Sequence, residues 1–195
     1  MARSRDRDAV DLTGILKLPR TIRLDPSDEF VFDEVAEPGE WAVSGAFRFW
    51  TRDVSALAGK QRQAFRSGLL GLSSFGWSTL VVVTPVSAAE REAAVSLLAR
   101  QLVVHLGAPD EASARAAAEE EIAFAASLCD HPENTILAVQ RSIEDDGIRE
   151  RFRTLKKRDD LVQHTRAFDI VALDDEDEGA VTEAVDLHAL IRGPT

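Results

Sequence analysis

Hydrophobic and polar positions recur with two different periods along this chain. Between residues 87 and 131 the period is helical, and on both sides of that stretch it is the period of two expected of strands. Ser87-Ala88-Ala89-Glu90 has the form of a capping box, in which serine and glutamate satisfy each other's backbone donors, so a helix is expected to open there. At about 100° per residue, Val95, Leu98, Ala99, Leu102 and Leu106 fall on one face. Gly107 and Pro109 stop this helix, and Asp110 caps a second one running to about residue 128. The apolar side of the second helix is built from Ala114, Ala117, Ala118 and Ala125, with Phe124 and Leu128 alongside.

The flanking segments read as strands. Residues 17–24 form a first strand. Residues 30–50 read as a hairpin around Pro38-Gly39, a pair suited to a type II turn. In that register Phe30 faces Phe47, Phe32 faces Gly45, Glu34 faces Val43 and Ala36 faces Trp41. A short helix follows at 53–66 and a glycine-bearing loop at 67–74. The segment 75–84 is a strand whose run of Leu80, Val81, Val82 and Val83 predicts a central position, buried on both faces. Residues 135–143 and 148–155 flank Asp145-Asp146-Gly147, a strong hairpin signal, and 166–173 supply one more strand. The expected fold is α+β: an antiparallel or mixed sheet of about six to seven strands, with a helical hairpin (87–130) and a short helix packed on one face.

Three regions are expected: a mobile extension at 1–16, a single domain at 17–173, and an acidic, partly ordered tail at 174–195. Apolar residues make up 45% of the 195, enough for a core. The net charge of −11 argues against a DNA-binding protein or a ligand of anionic membranes, because phosphate contacts need local Lys and Arg. No apolar run reaches transmembrane length, and no secretory signal is read at the N-terminus. The single cysteine, Cys129, excludes an intrachain disulfide and fits a reducing compartment, so a cytoplasmic location is expected.

Four residues near the ends of the helical pair could carry chemistry. Glu121 sits among alanines, where desolvation would raise its pKa. The plainer reading is that it reaches solvent or pairs with an arginine from a strand. Cys129 and His131 are metal-ligand types, and His105 could join them with Glu121 if the fold brings all four together. The spacing is not that of a zinc finger, and a buried structural cysteine is the favoured alternative. Arg149, Arg151 and Arg153 alternate along one strand face, followed by Lys156-Lys157-Arg158. This stripe suits an anionic ligand or acidic partner, or else a solvated face neutralised by the acidic run 174–178. Lys60, Arg62 and Arg66 form a second basic cluster. No G-x-S-x-G, H-E-x-x-H or Walker A pattern occurs.

The segments Leu18-Pro19-Arg20-Thr21-Ile22-Arg23, Glu37-Pro38-Gly39-Glu40-Trp41-Ala42-Val43-Ser44-Gly45, Ala64-Phe65-Arg66-Ser67-Gly68 and Cys129-Asp130-His131-Pro132 carry a resemblance. Over residues 17–173 the chain resembles an uncharacterised family of proteobacterial proteins, a domain of unknown function. Its association with genes for molybdenum-dependent formate dehydrogenases implies an accessory role and transfers no catalytic residue. The favoured expectation is a non-catalytic cytoplasmic accessory protein that binds a protein partner and assists a metalloenzyme. The alternative is a small enzyme or metal-binding protein using Glu121, His105, Cys129 and His131. No cofactor is assigned, and the oligomeric state stays open.

Overall fold

The computed structural model describes residues 15–145, 147–157, 168–172 and 182–183. Strand β1 (Lys17–Ile22) leads into a short helix α1 (Ser27–Val31), strand β2 (Ala42–Val43) and two 3-10 turns at Ala46–Phe49 and Val54–Ala56. Helix α2 (Gly59–Ser67) is followed by β3 (Leu69–Gly71), β4 (Trp77–Ser78) and β5 (Leu80–Pro85). The long helices α3 (Ala88–Leu106) and α4 (Glu111–Ser127) come next, and then β6 (Ile136–Glu144), β7 (Gly147–Lys157), β8 (Phe168–Ala172) and β9 (Thr182–Glu183). The architecture is α+β, with every ladder antiparallel. Among the described residues the expected single sheet is replaced by two: a six-stranded sheet in the order β1-β5-β6-β7-β8-β9 and a three-stranded one in the order β2-β3-β4.

The helical pair forms where the local signals place it. The Ser87 hydroxyl accepts from the Glu90 amide, and the Glu90 carboxylate accepts from the Ser87 amide, closing the capping box. Gly107 ends α3 in the left-handed region at φ +65°, and Asp110 caps α4 through the Ser113 amide at 2.7 Å. Val95, Leu98, Ala99 and Leu102 are buried as their spacing predicts, together with Ala114, Ala118, Ile122 and Ala125 of α4. Leu106, Ala117 and Phe124 are exposed instead, although the Phe124 ring still meets Phe152 edge-on.

The β6–β7 hairpin also follows its turn signal, with Glu144 opposite Gly147 and Ile136 opposite Leu155. Strand β5 is central, between β1 and β6, as its valine run predicts, but only the Val81 and Val83 face is fully buried, while Leu80 and Val82 are half-buried. Directly opposed residues of antiparallel strands share a face. Thr21, Val81, Leu137 and Thr154 therefore form one buried row across four strands.

Three local readings are corrected. Residues 30–50 do not form a hairpin. Gly39 has the positive φ (+91°) that a type II turn requires, but the turn docks on β1 rather than joining two strands. The Gly39 amide donates to the Thr21 carbonyl and the Thr21 amide to the Glu40 carbonyl, both at 2.8 Å. The apolar phase is spent on separate sites: Phe32 and Ala36 are buried, while Phe30 is 71% exposed.

The supposed glycine loop holds the fully buried strand β3, where Gly71 leaves room for the Glu40 carboxylate. The supposed strand 75–84 is two strands in different sheets. It breaks at Thr79, whose amide and hydroxyl are taken by the buried Asp28 carboxylate. The proposed extension at 1–16 and the tail at 174–195 fall almost wholly outside the described residues.

Candidate functional site

The four residues proposed as one cluster lie in different surroundings. His105 stacks on the Phe75 ring, with centroids 4.4 Å apart. Cys129 is buried with Val81, Val83, Leu137 and Val139, and burial pushes its thiol pKa up to about 12. His131 is half-buried, and its main-chain carbonyl accepts a 2.6 Å hydrogen bond from Lys17 Nζ. Glu121 responds to other charges altogether. Its pKa is raised to about 7, by desolvation first and by the nearby Glu150 and Glu120, with Arg141 opposing them. Among the described residues, no three His, Cys, Asp or Glu side chains gather as metal ligands would.

The arginine stripe does share one face of β7. Arg149, Arg151 and Arg153 stand opposite Ser142, Gln140 and Ala138 of β6. Arg149 pairs with Glu144 at 2.9 Å, and Arg153 is half-buried. The acidic run 174–178, suggested as its neutralising partner, lies outside the described residues.

The opposite face of the same hairpin carries a charged hub that composition and motif reading passed over. Arg141 is only 2% exposed. Its Nε donates to Glu150 Oε1 at 2.6 Å. Its Nη1 donates to the carbonyls of Phe65 (3.0 Å) and Gly68 (2.7 Å), and its Nη2 donates to the Ser44 carbonyl and hydroxyl. The Ser44 hydroxyl in turn donates to Glu150 Oε1 at 2.6 Å. One guanidinium thus ties the C-terminal end of α2 and the end of β2 to the large sheet. A planar five-donor fork is suited to this role, and an ammonium is not. The signal was present in the sequence: period two places Leu137, Val139 and Arg141 on one face, and the Asp-Gly turn sets Arg141 opposite Glu150.

A different kind of surface lies where α3 turns into α4. Val103, Val104 and Leu106 are exposed on the last turns of α3, and Val104 is 73% exposed. Val103 and Val104 line a groove of about 550 Å³ together with Ala99, Ala108 and Pro109. Arg100, Asp110, Glu111 and Arg115 stand at its rim. Arg115 is held in place by Glu92 at 2.7 Å and Glu119 at 3.0 Å. The groove thus has an apolar centre ringed by charges of both signs.

The profile of a family of unknown function, DUF6505, matches residues 16–171. The chain belongs to that family. No curated protein and no solved structure matches it. The part of this DUF6505 chain that matches runs from β1 into β8 and takes in both the Arg141 hub and the α3–α4 corner. No helix among the described residues is long and apolar enough to cross a membrane.

Proposed function

We propose that this DUF6505 protein is a non-catalytic accessory protein that docks on another protein through the α3–α4 corner. The observation that carries this reading is the group Val103, Val104 and Leu106, exposed beside a groove with a charged rim. Val104 is largely exposed and Val103 and Leu106 partly so, and a contiguous apolar patch of this kind favours a partner-binding surface. The partner that fits inserts an apolar side chain into the groove and meets charges of either sign at the rim.

The buried charges support a structural role for the remainder of the interior. Glu40 accepts the amides of Glu37, Ser73 and Ser74, Asp28 holds Thr79, and all three nitrogens of the Arg141 guanidinium are bonded. Protein neighbours hold these groups, so they are poorly placed to reach a substrate. The formate dehydrogenase context implied by the sequence resemblance makes a metalloenzyme of that class the partner to test first.

The test is a pull-down from native cytoplasm using the full chain and its Val104→Asp variant, with metal content read on each eluate. A stoichiometric protein captured by the wild type and lost in the variant, with unchanged thermal melting, supports the reading. Equal capture by both proteins, or none by either, overturns it.

A further inference from the structure

The cleft between the 3-10 turn Ala46–Phe49 and the first turns of α2 lies apart from the α3–α4 corner. It has a volume of about 130 Å³. Phe49 and Trp77 stack at its base, with ring centroids 5.4 Å apart. Three cationic side chains, Arg48, Arg52 and Lys60, line it together with the Gln61 amide. Against two carboxylates, Asp33 and Glu34, these three cations leave the lining net positive in a chain of net charge −11.

Arg48 is built in rather than draped over the surface. Its guanidinium lies over the rings of Phe75 and Trp77, at 4.9 and 5.3 Å from their centroids. It also donates to the Phe75 carbonyl at 2.9 Å. Phe75 reaches that position only by adopting φ +57°, a left-handed conformation that a bulky side chain rarely takes. Backbone strain of this kind collects where a functional geometry is being held.

The two carboxylates of the lining each pair with one of its cations. Glu34 is 62% exposed and bonds Arg48 at 2.9 Å, while the Arg48 side chain is only 15% exposed. Asp33 lies 3.8 Å from Lys60, and the Lys60 ammonium also donates to the Phe32 carbonyl at 3.2 Å. The Asp33–Lys60 pair, exposed on both sides, is weak. Arg52 is exposed at the rim and has no ion pair among the described residues.

We infer that this cleft binds a small oxyanion, a phosphate or carboxylate group, gripped between Arg48, Arg52 and Lys60. A guanidinium fork matches the two oxygens of such a group, and charge-assisted bonds of this type are stronger than neutral ones. The cleft falls below the roughly 300–1,000 Å³ of drug-sized pockets, so it takes the anionic end of a ligand and not a whole nucleotide.

The experiment is a titration of the full chain with sodium phosphate, and separately with sodium acetate. Ionic strength is held constant with sodium chloride, and the Trp77 indole N–H is followed by NMR. Saturable shifts are expected, and the tighter of the two salts identifies the phosphoryl or carboxylate character of the ligand. Arg52→Gln should weaken binding about tenfold with unchanged melting, while Arg66→Gln, on α2 but outside the cleft, should bind like the wild type. Linear shifts with both salts, or equal weakening by both substitutions, would overturn the inference.

Discussion

Arg141 and Glu150 face each other across the β6–β7 hairpin, with Nε and Oε1 2.6 Å apart and the guanidinium fully enclosed. The pair sits on the buried side of the sheet, and the three carbonyls it collects belong to segments distant in sequence. Desolvating two charges costs more than their attraction returns unless further hydrogen bonds complete them. Here Phe65, Gly68 and Ser44 complete them. Removing one member should therefore hurt more than the pair contributes. Arg141→Met is expected to destabilise the fold by about 3–5 kcal/mol, because Glu150 is left charged and half-buried. Arg141→Lys should recover only part of this loss, since an ammonium cannot reproduce the planar fork. Chemical denaturation of the three proteins decides the matter, and equal stability of Arg141→Lys and wild type would contradict it.

Glu121 connects the same hub to pH. Its pKa is raised from the ordinary 4.5 to about 7, by desolvation first, then by Glu150 and Glu120, against the pull of Arg141. The folded state therefore holds this proton more tightly than the unfolded chain does. The stabilisation is complete below about pH 4.5 and is lost as pH rises through about 7. The shift corresponds to no more than about 3 kcal/mol across that window. Glu121→Gln should flatten this part of the stability–pH curve and should be more stable than the wild type at pH 8. Parallel curves for the two proteins would show that Glu121 does not titrate as described.

Signals that were local and self-contained could be read from the sequence. The Ser87–Glu90 box, Gly107 and the Asp-Gly turn each fix their element within a few residues. Residues 30–50 misled because their turn chemistry was right and its use was not. Gly39 forms the positive-φ turn, but the hydrogen bonds of the turn are satisfied by Thr21, which is distant in sequence. Alternating apolar residues then fitted a hairpin that does not form. The break at Thr79 was equally hidden, since it depends on Asp28 arriving from α1. The functional residues divide in the same way. Arg141 was readable from the strand period and the turn, whereas the cleft of Arg48, Arg52 and Lys60 exists only after four separate segments have packed.

Glycines 39 and 76 offer a comparison of two costs. A Cβ on Gly39 would meet nothing within 4 Å, so alanine there carries only the left-handed backbone penalty of about 1–2 kcal/mol. Gly76 has no positive φ, but a Cβ would lie 2.5 Å from the Val35 carbonyl carbon, a backbone atom that cannot swing aside. Gly76→Ala must therefore separate β4 from the segment containing Val35, which Trp77 joins through paired backbone hydrogen bonds. It should cost more than Gly39→Ala, in the upper part of the roughly 1–3 kcal/mol range for overpacking. Thermal melts of the two variants should rank in that order, and the reverse ranking would mean that the close approach relaxes at little cost.

Cys129 supplies a probe of the large-sheet core. It lies just beyond the end of α4, 1% exposed, against Val81, Val83 and Leu137. Burial raises its thiol pKa to about 12, with the positive charge of Lys17 opposing the rise only in part. Thiolate is the reactive form, so both access and ionisation block attack at neutral pH. Ellman's reagent should leave the native protein unmodified over minutes and titrate one thiol per chain in denaturant. If the Arg141 hub holds α2 and β2 onto the sheet, Arg141→Met should speed labelling under native conditions through more frequent opening, while Gly39→Ala should change it much less. Fast labelling of the wild type would place Cys129 at an accessible surface and break the link between the hub and the core beneath α4.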